Sequence, residues 1–235
     1  MPPESYNENR VFVDGVLRDA GIDLWGAAAN APALPLAPPL PIAISLLARL
    51  DQRTLTRLEQ GDLAGYGSEY RRVNALLDAA TGELVAALLE RGCKATGTSA
   101  TVYDPLPPSG DWLAAGVFAH KTAATRSGLG WIGKTGLFVS PEAGPKLRLA
   151  TVFTDLALPV GTPVTESSCG SCRACLEACP AHAGRDVSWR AGMARDLLFD
   201  AAACERHMDD LEPIAGHTIC GLCVAACPFG RTRSS

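Results

Sequence analysis

The feature that most constrains this chain is a set of cysteines near its C-terminal end. Four cysteines lie in the segment CGSCRACLEACP, which begins at Cys169, and three more lie in CGLCVAACP, which begins at Cys220. Cys204 lies between the two runs, so eight of the nine cysteines fall within fifty-nine residues. Such a dense and regular set indicates that these side chains act together as ligands.

The spacing identifies the kind of ligand set. The first run reads C-x2-C-x2-C-x3-C-P, which is typical of bacterial ferredoxins that hold two [4Fe–4S] clusters, with the fourth cysteine binding the other cluster. The second run is one thiolate short, and Cys204 can supply it. We therefore predict one cluster on Cys169, Cys172, Cys175 and Cys227, and a second on Cys179, Cys204, Cys220 and Cys223.

Two other uses of the cysteines fit the sequence less well. Structural zinc is usually bound by two C-x2-C pairs, and three cysteines at x2-x2 suit it poorly. Disulfides need an oxidising compartment, and the N-terminal segment MPPESYNENR has no basic region leading into an apolar stretch. We therefore expect a cytoplasmic location. The ninth cysteine, Cys93, is expected to be a small buried residue at the start of a strand.

Charge and hydropathy limit the partners. The formal net charge of −4 gives no electrostatic support for binding nucleic acid. The most apolar window, Ala31 to Leu50, contains five prolines and cannot form one continuous membrane helix. We expect no membrane partner.

The periodicity predicts an α/β domain over residues 1–160 and a cysteine module over residues 161–235, joined by the polar segment 159–168. Val11, Val13, Val16 and Leu17 are expected to form the apolar side of the first helix. Helices are predicted over residues 4–20, 51–60, 68–91 and 120–127, and strands over 22–29, 41–47, 93–102, 137–140 and 146–156.

The segment Gly128-Leu-Gly130-Trp-Ile-Gly133 matches the G-x-G-x-x-G pattern of dinucleotide-binding sites. That pattern is specific only between a strand and a following helix. Here a helical run precedes it and a β-like run follows it. We therefore do not predict a dinucleotide site, although the glycines permit close approach of a bulky group.

The string AATRSGLGWIGK, which ends at Lys134, together with HKTAA from His120 and the two cysteine runs, resembles the epoxyqueuosine reductase family and especially its shorter relatives. The resemblance covers residues 66–230 well. It implies a nitroreductase-like α/β domain followed by a ferredoxin-like module with two [4Fe–4S] clusters. It also implies a cobamide in the α/β domain, with a flavin as the less favoured alternative.

The chain departs from that family in two places. The family's proton-donor aspartate would fall near Ala114, where no D-x-x-P-V pattern is found, and Asp111 is out of register. Only eight residues follow Cys227, so the family's helical-repeat extension, which helps to hold tRNA, is not expected. We therefore do not expect tRNA as a partner, and we expect a corrinoid or small-molecule acceptor instead.

The resemblance also suggests site residues in the α/β domain. His120 and Lys121 are the candidate catalytic residues, because they are the polar side chains nearest the glycine-rich turn, and an imidazole titrates near neutral pH. The candidate cofactor-binding residues are Gly128, Gly130, Trp131, Gly133 and Lys134. A surface role for His120 and a core role for Trp131 remain the structural alternatives.

Two functions follow from the sequence. The first is an iron–sulfur oxidoreductase that takes electrons from a low-potential donor of the ferredoxin or flavodoxin type. It passes them through two clusters to a corrinoid or substrate in the α/β domain. The second is a non-enzymatic electron carrier whose α/β domain docks onto another protein.

Overall fold

The computed structural model describes residues 3–30, 37–100 and 118–230, which form a mixed α/β structure. The chain divides into two compact units. The first comprises segments 1–48, 73–129 and 148–163, and the second comprises 49–72, 130–147 and 164–235. The last segment thus begins close to the predicted module boundary at residue 161, but the second unit also includes two earlier segments. The division into domains at residue 160 stays a prediction.

Most strands occur where alternating apolar residues predict them. Four strands form one sheet in the order β1-β2-β6-β3, and β4 pairs with β5 in a separate two-stranded sheet. The pairs β1–β2, β3–β6 and β4–β5 are antiparallel. The strands are β1 (Leu24–Ala29), β2 (Ile42–Arg49), β3 (Ala95–Thr98), β4 (Trp131–Ile132), β5 (Phe138–Val139) and β6 (Leu147–Thr154).

The first unit is built around the four-stranded sheet. Ala43 of β2 and Phe153 of β6 pack with Phe118 and Ala123 in one apolar cluster. The rings of Phe118 and Phe153 meet edge to face with centroids 5.0 Å apart, a favoured aromatic geometry. This cluster fixes the start of the helix that carries His120.

The predicted helices are all present, together with short helices in the cysteine segment. They are α1 (Pro3–Asp19), α2 (Gln52–Glu59), α3 (Leu63–Glu90), α4 (His120–Arg126), α5 (Ala174–Glu177), α6 (Ala201–Ala215) and α7 (Leu222–Ala226), with a single 3-10 turn at Arg195–Leu197. No helix in the described residues is both long and apolar enough to cross a membrane.

The apolar side predicted for α1 was partly wrong. Val13 and Leu17 are fully buried, whereas Val11 is 71% exposed. Two residues correspond to about 200° around a helix. Val11 and Val13 therefore lie on nearly opposite faces, and only one of them can pack on the core.

Helix α3 begins five residues before the predicted start at Ser68. The Oδ1 atom of Asp62 accepts a hydrogen bond of 2.8 Å from the backbone N–H of Gly65. This contact caps an N–H group that a helix start otherwise leaves without a partner. Gly65 and Gly67 weaken the helical signal of this turn in the sequence, which is why its start was missed.

In the second unit, α2 contacts α7 and α5 contacts α7. Gly67 of α3 is buried, and a Cβ atom added there would lie 2.1 Å from the carbonyl oxygen of Ala215 in α6. The absence of a side chain at Gly67 therefore allows the backbone of α3 to approach the end of α6. Since α6 carries Cys204, this close approach helps to hold the helix that carries a predicted ligand.

Two substitutions within α3 test this close approach. Gly67→Ala should lower the free energy of unfolding by about 1–3 kcal/mol, because the backbone oxygen of Ala215 cannot move aside cheaply. Gly82→Ala is the matched control, because Gly82 is exposed with no atom within 4 Å of the added Cβ. It should raise stability by about 0.5–1 kcal/mol through helix propensity. Anaerobic thermal unfolding followed by circular dichroism measures both, and equal effects would contradict the packing described.

Candidate metal centre

All eight predicted ligand cysteines lie in the second unit, and the electrostatic influence among them separates two groups. Burial, together with the negative charges of Cys227, Cys169 and Cys172, raises the pKa of Cys175 to about 11. Burial also raises the pKa of Cys227, with Cys169 and Cys172 adding to the effect. We call these four residues the first cysteine group.

The second cysteine group consists of Cys179, Cys204, Cys220 and Cys223. Burial, together with the charges of Cys179 and Cys220, raises the pKa of Cys204 to about 11. The pKa of Cys223 is raised mainly by burial, then by Cys220 and Cys204, next by Cys175 and least by Cys179. The two strongest cysteine neighbours of Cys223 are thus in its own group, but Cys175 of the first group affects it more than Cys179 does.

Short helices and turns hold the first group. The backbone N–H of Cys172 donates to the carbonyl oxygen of Cys169 at 3.2 Å, which closes the turn between them. Cys175 lies in α5, and Cys227 follows the last residue of α7. The Cys169–Cys172 step is therefore a tight turn.

The second group is assembled from more distant segments. Cys204 lies in the first turn of α6, where the side chain of Asp200 accepts a hydrogen bond from the backbone N–H of Ala203. Gly221 adopts a left-handed conformation between Cys220 and α7, which carries Cys223. The helix cap at Asp200 thus sets where the isolated cysteine enters the site.

All nine cysteines are free thiols in the structure. In the described residues, no three His, Cys, Asp or Glu side chains come close enough together for a single metal ion.

Cys93 lies in the first unit and is half-buried. Its raised pKa comes mainly from burial and then from Asp155.

Two donor side chains approach the first cysteine group. Trp131, which is 5% exposed, donates its indole N–H to Sγ of Cys169 at 3.3 Å, and its ring meets Phe229 edge to face at 5.0 Å. Lys146 is 3% exposed and its Nζ donates to the carbonyl oxygens of Cys227 and Phe229 at 2.7 and 2.8 Å. Trp131, predicted to contact a cofactor or the core, therefore contacts a predicted metal ligand.

The ammonium group of Lys134 is bound to another side chain of the same unit. Its Nζ donates to Asp186 at 2.8 Å, and Asp186 also forms an ion pair with Arg173. The hydrogen bond from Lys134 lowers the pKa of Asp186, and Arg173 adds to this effect. Cofactor binding by Lys134 stays a prediction, and this ion pair favours a structural role.

Two of the three glycines of the GLGWIG segment lie close to backbone atoms of the chain, and the third lies close to a side chain. A Cβ atom at Gly128 would lie 2.8 Å from the carbonyl oxygen of Thr162, and one at Gly130 would lie 2.1 Å from that of Val139. At Gly133 it would lie 3.0 Å from a methyl group of Val139. A helix precedes this segment and a short strand follows it, as expected for a site that does not bind dinucleotides.

His120 is held inside the first unit. Its Nδ1 lies 2.8 Å from the hydroxyl of Thr151, and its Nε2 lies 2.9 Å from the carbonyl oxygen of Ser99. A carbonyl only accepts, so Nε2 carries the proton and Nδ1 accepts from Thr151. Burial lowers the pKa of His120 to about 4. Its role as a proton donor stays a prediction, but a neutral ring with both nitrogens bonded argues against it.

Lys121 lies beside it at the start of α4 and is half-buried. Its catalytic role also stays a prediction. Ala114 and Asp111, where the family's proton donor was sought, lie outside the described residues.

Sequence reasoning missed two charged residues of the second unit. Lys146 directly precedes β6, and the apolar residues of that strand are the only sequence signal for the burial of its charge. Asp186 has a positive φ of 56° and accepts from Lys134. No local pattern predicts this contact, because the two residues are 52 positions apart.

The comparison with curated proteins supports the family resemblance. No protein-family model matches the chain. A segment of 123 residues is 31% identical to epoxyqueuosine reductase of Pseudomonas aeruginosa and covers 48% of this chain and 32% of that protein. The same enzyme of Escherichia coli is 33% identical over 123 residues, covering 48% and 30%. The matched segment thus spans about a third of the length of these relatives.

Solved structures show a similar fold. A catabolic reductive dehalogenase in complex with 3-bromo-4-hydroxybenzoic acid aligns with a TM-score of 0.70 at 18% identity, covering 94% of this chain and 31% of that one. Epoxyqueuosine reductase from Bacillus subtilis aligns with a TM-score of 0.62 at 16% identity, covering 97% and 66%. An epoxyqueuosine reductase with a tRNA stem loop aligns with a TM-score of 0.56 at 15% identity, covering 96% and 66%. The resemblance to epoxyqueuosine reductases is confirmed.

The environment of His120 makes a prediction about pH. Its folded pKa of about 4 lies below the ordinary value of 6.5, so the unfolded chain binds the proton first as pH falls. The stabilisation from a neutral His120 is therefore present above pH 6.5 and is lost progressively between pH 6.5 and 4. Between pH 7.0 and pH 5.5, the free energy of unfolding should fall by about 1 kcal/mol more in the native protein than in the His120→Gln variant. Denaturant unfolding at both pH values measures this, and parallel losses would contradict it.

Proposed function

We propose that this chain is an iron–sulfur oxidoreductase related to the epoxyqueuosine reductases. The cysteine module would hold two [4Fe–4S] clusters, and the α/β domain, of the nitroreductase-like type, would hold the electron acceptor. The observation that supports this proposal is that all eight cysteines lie in one compact unit, where most of their electrostatic influence falls within two groups of four. Each group contains the four residues that the sequence spacing assigns to one cluster.

The residues fit such clusters in number, chemistry and spacing. Each group offers four thiols, and a cubane binds each thiolate through a different iron atom, so the sulfur atoms need not converge on one point. Burial raises the pKa of Cys175 and Cys204 to about 11, so these thiols are protonated at neutral pH without metal. Ligation would displace those protons. The clusters, when bound, supply single electrons at low potential.

The chain's own residues set the conditions for this chemistry. Partial burial of the cysteines limits contact with water, which protects iron–sulfur sites from side reactions. The interleaving of the two cysteine runs places both groups in one module, with Cys175 close enough to Cys223 to affect its pKa. A module of this kind suits electron transfer between the two groups.

A corrinoid is the favoured acceptor, and a flavin is the less favoured one. One of the similar solved structures is a reductive dehalogenase described in terms of B12-dependent dehalogenation, which aligns with a TM-score of 0.68. That likeness concerns the fold, and it supports a corrinoid in the α/β domain. The electron source would be a low-potential protein of the ferredoxin or flavodoxin type.

Two other functions remain candidates. A solved neighbour was determined with an epoxyqueuosine-modified tRNA stem loop, which favours a tRNA substrate against our expectation from the charge of the chain. A non-enzymatic electron carrier is the second candidate. Both share the cluster module with the main proposal, so they differ from it only in the acceptor.

The cluster assignment is tested by two cysteine substitutions. After anaerobic reconstitution, the native protein should bind about eight iron atoms per chain. Cys204→Ala should lose about half of them, because it removes one ligand of the second cysteine group. Cys93→Ala, the matched control, should lose none. Iron analysis and low-temperature electron paramagnetic resonance measure the result, and equal loss from both variants would refute the assignment.

The acceptor is tested with the reconstituted protein. Hydroxocobalamin added under anaerobic conditions with a reductant should bind and show the visible spectrum of reduced cobalt. Parallel assays use a flavin and an epoxyqueuosine-containing tRNA stem loop. Turnover of the stem loop would establish the tRNA function instead. Failure of the intact, cluster-loaded protein to bind or reduce any of the three would contradict an enzymatic role and favour the carrier.

A further inference from the structure

The two cysteine groups differ in the polar groups that surround them. On the first group, the indole N–H of Trp131 points at Sγ of Cys169 from 3.3 Å. An indole N–H can only donate, so this contact places a positive dipole end on the sulfur atom. Trp131 is 5% exposed, so water competes little for the contact.

Lys146 brings a buried positive charge to the same group. Its Nζ donates to the carbonyl oxygens of Cys227 and Phe229 at 2.7 and 2.8 Å. At 3% exposure the ammonium is poorly screened by solvent. The two carbonyl oxygens offset the cost of burying it.

The second cysteine group lacks a buried side-chain donor and a buried cation among the contacts described. Each group has one cysteine bonded by a backbone N–H, that of Phe229 to Cys227 and that of Leu222 to Cys220, so these bonds do not distinguish the groups. The backbone N–H of Ala183 approaches Sγ of Cys179 at 3.5 Å, which is longer than the contact from Trp131. The cation that acts on Cys204 is Arg195, which is exposed to solvent, and the charge of Glu205 opposes it. Solvent screens an exposed charge far more than a buried one.

We propose that Trp131 and Lys146 are positioning residues that raise the reduction potential of the cluster on the first cysteine group above that of the cluster on the second. This inference rests on the proposed function, because it requires both clusters. Reduction adds negative charge to a cluster and its sulfur atoms. A hydrogen-bond donor and a nearby buried cation stabilise that charge more than the oxidised state, which raises the potential.

The substitutions are chosen to separate charge from packing. Trp131→Phe removes the N–H and keeps an aromatic ring against Phe229. Lys146→Met removes the charge and keeps most of the aliphatic stem, and Lys146→Arg restores the charge. Trp25→Phe is the matched control, because it also removes an indole hydrogen bond, here one of 3.1 Å to Asp14 in the first unit.

The measurement is an anaerobic redox titration followed by electron paramagnetic resonance, together with iron content. A Cys204→Ala background identifies the signal of the first cluster. At the native midpoint of that cluster, Trp131→Phe and Lys146→Met should each lower the ratio of reduced to oxidised cluster by about tenfold. Lys146→Arg should restore most of the ratio, and Trp25→Phe should not change it.

The outcomes separate this inference from the proposed function. Absence of clusters from the reconstituted native protein would overturn the proposed function and this inference with it. Two outcomes would overturn this inference alone. In the first, Trp131→Phe and Lys146→Met keep full iron content and leave the ratio of reduced to oxidised cluster unchanged. In the second, the second cluster of the native protein has the higher reduction potential. If Lys146→Met loses iron because the chain no longer folds correctly, Trp131→Phe decides the question.

Discussion

The structure of the second unit depends on the interleaving of its two cysteine runs. The last cysteine of the first run, Cys179, lies with Cys204 and Cys220, and the last cysteine of the second run, Cys227, lies with Cys169 and Cys172. Each run therefore contributes to both groups, and neither group can form from one run alone. Metal binding at such a site would join segments that are distant in sequence and fix them against each other.

Other parts of the second unit support that interleaving through close backbone contacts. A Cβ atom at Gly144 would lie 2.1 Å from the carbonyl oxygen of Phe229, so a side chain there would displace the turn that follows Cys227. Gly144 has a φ of 60°, which also favours glycine. The turn after β5 therefore packs closely against the turn after α7. Lys146 stabilises this contact with two hydrogen bonds.

Much of this could be predicted from the sequence. Apolar periodicity located the main helices and strands. The cysteine spacing predicts the ligand sets, and those sets stay a prediction. Contacts between distant residues could not be predicted in this way. The bond from Trp131 to Cys169 spans 38 positions and that from Lys146 to Cys227 spans 81. His120 is misleading for a related reason, because its partners Ser99 and Thr151 come from other segments, and burial keeps its ring neutral.

The long sequence separation between Lys146 and its partners Cys227 and Phe229 affects how this part of the protein assembles. Closing a loop of about eighty residues costs conformational entropy that two hydrogen bonds offset only in part. Neutral, protonated thiols add little to that closure. If the proposed clusters are bound, ligation through Cys227 would add to it, so iron–sulfur loading and the docking of the segment around Cys227 would be thermodynamically coupled. A chain deprived of iron would then open this segment more often and expose it to proteases.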